Sequence, residues 1–284
     1  MSASAVSTDN KSAATGQILG LVAGDGKLPA ILAQSAAAHG YKVIALALSE
    51  DAFDLVSPHC HKVHLVAPGQ LGRNIKLAHS EGIKEAVFIG RIPKINLLHS
   101  ITKFDWMAIK EVTRLPNLND DTIQQAFGGI MEQHGIAIRP QAEFLRHLFH
   151  SVGVLSKRQP NAAEYADIEF GLQVARETAR LDIGQTVVVR DRIIIAVEAF
   201  EGTDRAIRRG VELARKPVTV VKVAKEGQDP RFDTPTVGVS TIEAMLAPKP
   251  GGVLAIGAGQ VMLVDQEAVL KFADQHDIAV VAVQ

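Results

Sequence analysis

The chain has 284 residues, 47% of them apolar, and a net charge of −1. At roughly 150 residues per domain, that length suggests two domains with ordinary apolar cores. The balanced charge offers no field for nucleic acid and 5% aromatics leave little for base stacking, so nucleic acid is excluded as a partner and any phosphate site must be local.

Met1 to Thr15 are small and polar, with no basic start followed by an apolar stretch. They read as a disordered tail, 1–15, and not as a secretory signal. No apolar run approaches the roughly 18 residues that span a bilayer. The one cysteine, Cys60, cannot form an internal disulfide, which fits a reducing cytoplasm. Its neighbours Pro58, His59 and His61 make no catalytic signature, so it reads as buried or incidental.

Ile18 to Ala23 is a short apolar strand, followed by Gly24-Asp25-Gly26 and a helix that starts near Pro29 and closes at Gly40. Tyr41 to Leu48 and Lys62 to Val66 are further strands, Leu71 to Glu81 a helix, and Ala86 to Ile89 a fourth strand. This alternation predicts an α/β fold, with a Rossmann-like parallel sheet over residues 16–150. Phe104 to His134 reads as mostly helical, with Asn119-Asp120-Asp121 as a start signal, and Ile136 to Ile138 as one more strand.

Arg139 to Pro160 is a transition, and a second α/β domain is expected over 151–284. It opens with a helix from Ala163 to Arg180. A hairpin follows, with arms Thr186–Val189 and Ile193–Val197 around Asp191-Arg192. Thr203 to Ala214 is a helix and Thr219 to Ala224 a strand. The rest reads as a short strand over Val237 to Val239, a helix Ser240 to Ala247, strands at Val253–Ile256 and Val261–Val264, a helix Gln266 to His276 and a strand Ala279 to Val283.

Three segments carry chemistry. Gly24-Asp25-Gly26-Lys27-Leu28-Pro29 is a glycine turn at a helix start, which can offer backbone N–H groups to phosphate. It lacks the third glycine of the dinucleotide fingerprint and the Gly-Lys-Ser/Thr of a P-loop, and reads equally as a tight turn. The second segment runs from Ala196 to Asp204, with Arg208 and Arg209 beyond it. Glu198 sits on one strand face and Glu201 beyond the strand, while Thr203 or Asp204 can cap the helix that follows. Carboxylates around a glycine turn suit a hard cation such as Mg²⁺, and the same residues also make an ordinary surface loop.

The third segment, Lys225 to Gly238, is the sharpest. Pro230 and Pro235 stiffen a polar loop that offers Asp233 and Asp229 as carboxylates, Arg231 as a guanidinium fork, and donors from Gln228 and Thr236. Phosphoryl chemistry needs that set: neutralised charge, positioning and an activated water. Leu181 to Gln185 is weaker, since Asp182 can simply pair with Arg180. No histidine pattern supports zinc.

These residues resemble a family. The stretches Leu19–Pro29, Arg180–Gln185, Ala196–Asp204 and Gln228–Gly238 are similar, in order and spacing, to the LpxI-type UDP-2,3-diacylglucosamine pyrophosphatases of lipid A biosynthesis. The resemblance runs from about Ile18 onward and leaves the tail outside. It implies a Mg²⁺-dependent hydrolase that cleaves UDP-2,3-diacylglucosamine to UMP and the diacylated glucosamine 1-phosphate, lipid X. The family's key acidic residue falls on Asp233. The resemblance also implies a ligand between the two domains and a homodimer.

On both readings, Asp233 with Glu198, Glu201 and Asp204 is expected to hold Mg²⁺. Asp233, Arg231, Gln228 and Asp229 are expected to be catalytic, with Arg231 and Arg208 on phosphate oxygens. Gly24, Asp25, Gly26, Lys27 and Leu28 are expected on the nucleotide or pyrophosphate, and Gly202, Thr203 and Thr236 on substrate. Leu145, Leu148, Phe149 and Val152 read either as an acyl groove or as a core-facing helix stripe. A lipid substrate implies peripheral contact with the cytoplasmic face of the inner membrane. Two other readings stay open: a nucleotide-sugar-binding regulator without catalysis, and a nicotinamide oxidoreductase. Against the latter, Glu50 and Asp51 come late for a strand-end acid.

Overall fold

A computed structural model describes residues 16–91, 104–113, 120–225, 229, 231–232 and 234–284. The expected tail, together with Gln228 and Asp233, lies outside the described residues. The chain parts into two compact units between Phe144 and Leu145.

The first unit is a parallel sheet, as the strand–helix alternation predicts. Its strands are β1 (Ile18–Ala23), β2 (Lys42–Ala47), β3 (Lys62–Leu65), β4 (Glu85–Ile89) and β5 (Ala137–Ile138), in the order β3-β2-β1-β4-β5. β1, β2 and β4 are near-continuous apolar runs because helices cover both faces. The helices are α1 (Leu28–Ala38), α2 (Glu50–Val56), α3 (Leu71–Ser80), α4 (Trp106–Val112) and α5 (Asp120–Gln133). Of the stretch from Phe104 to His134, expected to be mostly helical, the described residues carry α4 and α5.

α2 was not expected. Ser49 caps it, its Oγ accepting from Ala52 N at 3.0 Å, and Glu50 and Asp51 fill the first turn, where the helix dipole favours acids. These two acids therefore belong to a helix start and do not end β2.

Strand order reverses at β1 and β4, and there the carboxyl ends of the two strands touch. A Cβ on Gly24 would lie 2.4 Å from Arg91 O, and one on Gly90 2.7 Å from Gly24 C. Only glycine lets the two backbones meet. The thiol of Cys60 is half-buried and burial pushes it up to about 11, so it is an unreactive side chain.

The second unit has helices α6 (Ala162–Arg180), α7 (Thr203–Ala214), α8 (Val239–Ala244) and α9 (Gln266–Gln275). Its strands are β6 (Gly153–Val154), β7 (Thr186–Arg190), β8 (Ile193–Val197), β9 (Thr219–Lys222), β10 (Thr236–Val237), β11 (Val253–Gly257), β12 (Met262–Leu263) and β13 (Ala279–Val283). Six of them form a sheet in the order β6-β13-β11-β9-β7-β8, while β10 and β12 pair separately. β9, β11 and β13 are parallel; β7 runs against β8 and β9, and β6 against β13.

One face of this sheet (Val188, Ala196, Val220, Leu254) packs on Ile207 and Val211 of α7. The other (Val187, Val189, Val221) packs on Ile168, Leu172 and Ala175 of α6. Asn161 and Glu164 form a capping box at the start of α6. The β7–β8 hairpin turns at Asp191 and Arg192, both with positive φ, and Asp167 holds the turn by accepting from both backbone N–H groups, at 3.1 and 2.6 Å.

The helix stripe expected from Leu145 to Val152 does not form. Arg146–Leu148 is a 3₁₀ turn, Leu145 and Leu148 are buried in the second unit, and Val152 is 59% exposed.

Gly24→Ala is expected to destabilise the protein by about 1–3 kcal/mol, the usual cost of forcing extra volume into packed structure. Urea unfolding of the full chain measures this.

Candidate functional site

The second sheet carries charge where a sheet is expected to be apolar. Lys222 ends β9 and is only 5% exposed, and Glu198, one residue past β8, is 9% exposed. The strand register explains their placement. Thr186 lies opposite Lys222 across β7 and β9. Val187 lies opposite Val197, so Thr186 is also opposite Glu198, whose N–H donates to Thr186 O at 2.9 Å. Residues directly opposite share a face. Glu198, Thr186 and Lys222 thus form a row across three strands. Two residues back along those strands, Ala196, Val188 and Val220 pack on α7, so the row faces the start of that helix.

Thr203, the first residue of α7, closes the row. Its Oγ1 accepts from Lys222 Nζ at 2.9 Å and donates to Glu198 Oε1 at 2.7 Å. The other carboxylate oxygen, Glu198 Oε2, is buried with no hydrogen-bond partner, as are Thr186 Oγ1 and Gln185 Oε1. Buried polar atoms are nearly always satisfied, so an orphaned carboxylate oxygen marks a place built to receive a donor or cation. Because Lys222 and Gly257 end parallel strands, the row sits at the carboxyl edge, where open α/β sheets bind ligands.

The surrounding segments hold this edge. A Cβ on Gly184 would lie 2.0 Å from Glu198 O, so the Gly184 turn must pass directly over the Glu198 backbone. Gly202, at φ 83, is the N-cap of α7. Thr203 and Asp204 do not cap it, contrary to the sequence expectation, and the Thr203 hydroxyl is turned to Glu198 and Lys222 instead. Asp204 lies in the first turn of α7.

Glu201 pairs with Arg209 at 2.5 Å and also accepts from Ala199 N at 3.2 Å. Hydrogen bonding from Arg209 holds the Glu201 carboxyl below its usual range. Glu201 is thus held within its own turn by Arg209 and Ala199. Arg209 Nη2 also donates to Val197 O at 2.9 Å, while Arg208 is exposed.

After β9 comes the polar loop. Arg231 Nη2 and Nε reach Asp229 Oδ2 and Oδ1 at 2.7 and 2.9 Å, and this fork holds the Asp229 carboxyl below its usual range. The Arg231 guanidinium also lies 5.1 Å from the ring centroid of buried Phe232. Arg231 is thus set in place by Asp229, which acts here as its orienting partner. Lys225 pairs with Asp182 at 2.7 Å, whereas Arg180 pairs with Glu177, so the expected Asp182–Arg180 pair does not form. Thr236 pairs with Met262 in β10–β12.

The first unit changes the reading of its glycine turn. Gly24 N donates to Ile89 O and Asp25 N to Arg91 O, both at 2.8 Å. The Asp25 carboxylate takes the Ser49 hydroxyl at 2.5 Å. Two of the N–H groups expected to cradle phosphate are spent on the end of β4 and on Arg91 just beyond it, which leaves Gly26, Lys27 and Leu28 at the start of α1. A groove of about 830 Å³ opens beside β2 and β3, lined among others by Ser49, Glu50, His64, Gln70 and Arg73.

Among the described residues, no three His, Cys, Asp or Glu side chains gather as a metal cage. Glu198 Oε2 does fit Mg²⁺ as a single hard oxygen ligand. That ion typically takes one or two carboxylates and fills its shell with water and substrate phosphates. Sequence reasoning missed Thr186 and Lys222 and met Gln185 only as the end of a weaker segment. The usable signal was a lysine inside an apolar strand, since lysine is almost never fully buried without a partner.

Fold and site together define a two-unit α/β protein whose second sheet carries a Glu–Thr–Lys network on its carboxyl edge. The family models give the particular group. The LpxI N-terminal domain matches residues 18–148 and the LpxI C-terminal domain matches residues 151–281, and the chain belongs to the LpxI family. It is 32% identical to UDP-2,3-diacylglucosamine pyrophosphatase LpxI of Caulobacter vibrioides over 283 residues, covering 93% of this chain and 97% of that protein. Solved structures offer only distant likeness. An N5-carboxyaminoimidazole ribonucleotide synthetase has 13% identity over 62% of this chain and 32% of that one, with a TM-score of 0.29. The N5-carboxyaminoimidazole synthetase of Staphylococcus aureus has 15% identity over 62% and 38%, with a TM-score of 0.26.

Thr186 is wholly buried with an unbonded hydroxyl. Thr186→Val, which keeps the shape and removes that hydroxyl, is expected to stabilise the protein by about 1 kcal/mol in urea unfolding. A loss of similar size instead shows that the hydroxyl has a bonding partner in solution.

Proposed function

We propose that this protein hydrolyses the diphosphate of UDP-2,3-diacylglucosamine, releasing UMP and 2,3-diacylglucosamine 1-phosphate (lipid X), with Mg²⁺ as cofactor. The observation that carries the reading is Glu198 Oε2: a buried, unbonded carboxylate oxygen on the carboxyl edge of the second sheet, in a chain of the LpxI family. The Caulobacter relative's name gives the substrate.

Hydrolysis adds water across the P–O–P bridge. The water oxygen joins one phosphorus, the bridging oxygen leaves with the other, and a proton must be accepted. Glu198, Asp204 and Asp233 would hold the Mg²⁺, which supplies charge neutralisation at the diphosphate when bound. Arg231, oriented by Asp229, presents its guanidinium to phosphate oxygens, and exposed Arg208 is available to a phosphate at the start of α7. Gln228 from that loop and Thr236 at the start of β10 add donors, and Gly202, at φ 83, turns the chain so that Thr203 begins α7 beside the substrate. In the first unit, Gly26, Lys27 and Leu28 offer N–H groups to the nucleotide part, with Gly24 and Asp25 holding the turn in place.

The acyl chains imply contact with the cytoplasmic face of the inner membrane by a cytoplasmic, homodimeric enzyme. No helix among the described residues is long and apolar enough to cross a membrane.

The test is UMP release from UDP-2,3-diacylglucosamine by purified protein, with Mg²⁺ or EDTA, beside Asp233→Ala. We expect release that needs the metal and falls by about 100-fold or more in the variant, since losing a ligand costs at least as much as losing the partners that orient one. No release by folded wild type overturns the hydrolase and leaves nucleotide-sugar binding without catalysis.

A further inference from the structure

The Lys222–Thr203–Glu198 chain has a direction. A lysine ammonium donates hydrogen bonds and accepts none, and a threonine hydroxyl has one proton to give. Because Thr203 Oγ1 accepts from Lys222 at 2.9 Å, its single proton is committed to Glu198 Oε1 at 2.7 Å. That fixes the carboxylate. Oε1 is engaged from the helix side, and Oε2 is left buried and unbonded toward the edge of the sheet. Charge follows the same line. Glu198 and Lys222 lie on either side of Thr186 in one cross-strand row, so the lysine balances a carboxylate that has almost no water to do so. Two neighbouring acids are occupied elsewhere, Glu201 by Arg209 and Asp182 by Lys225.

We infer that Lys222 is a positioning residue of the hydrolytic site: through Thr203 it holds Glu198 in the one orientation that presents Oε2. The inference rests on the hydrolase reading above and adds a residue that the sequence motifs do not include. Lys222 acts on Glu198 without touching substrate, so its loss belongs in kcat.

The experiment compares Lys222→Met, Lys222→Arg, Thr203→Val and Thr203→Ser in UDP-2,3-diacylglucosamine hydrolysis at saturating Mg²⁺. Lys222→Met and Thr203→Val are expected to lower kcat by about 10–100-fold, as for partners that orient a ligating side chain, with KM nearly unchanged. Thr203→Ser and Lys222→Arg recover much of that loss, because each keeps its donor. In a Glu198→Gln background, Lys222→Met costs little more, since its target is already disabled. A loss carried by KM, equal losses in Thr203→Val and Thr203→Ser, or full additivity with Glu198→Gln each overturns the inference.

A thermal-unfolding cycle over Lys222→Met, Glu198→Gln and the double variant needs no substrate. It separates failure of this coupling from failure of the hydrolase reading. Overlapping Tm losses support the coupling even if wild type proves inactive, and additive losses overturn it even if wild type is active.

Discussion

A carboxylate and an ammonium cannot be taken out of water without compensation, and the end of the second sheet is arranged around that fact. Desolvating either ion alone costs several kcal/mol, so each must find its partner inside the fold. Glu198 and Lys222 do so through Thr203. Nearby features serve the same end. Gly184 lets a turn pass directly over Glu198, Arg209 anchors the Glu201 turn, and α7 begins where its first side chain can bridge two strands. Filling the same positions with apolar residues would give a simpler core, but would leave no oxygen poised at the sheet edge.

Much of the fold was legible in the sequence, because its signals are local and repeated. Short apolar runs ending in glycine mark the parallel strands, and Asp191-Arg192 between β-branched runs marks the hairpin. α2 was missed because seven residues carry little periodicity, although Ser49 followed by Glu50 and Asp51 is a helix-start signal. The 3₁₀ turn at Arg146–Leu148 lies where apolar residues fit several elements equally well.

The site was legible only in part. Motif reading finds segments rich in functional groups, and Glu198, Thr203, Asp229 and Arg231 do meet partners within or close to those segments. It cannot tell which groups are already committed. Glu201, an attractive oxygen donor on paper, is tied to an arginine eight residues on, and the N–H groups of Gly24 and Asp25 are used by Ile89 and Arg91. Nor can it see across strands. Thr186 and Lys222 are 36 positions apart and neighbours only through the β7–β9 register.

That second sheet has one more consequence, which concerns its making. β6 is the first strand of its unit and pairs only with β13, the last, through Gly153–Ala282 and Val154–Val281; Leu155 N reaches Val280 O at 2.8 Å just beyond. During synthesis the early edge therefore waits, unpaired, until the final strand has emerged. Such long-range pairing is slow to form and leaves strand edges open to wrong partners in the meantime. The described strands of the first unit have all been made by Ile138, so the two units are expected to mature at different moments, with the second completed last.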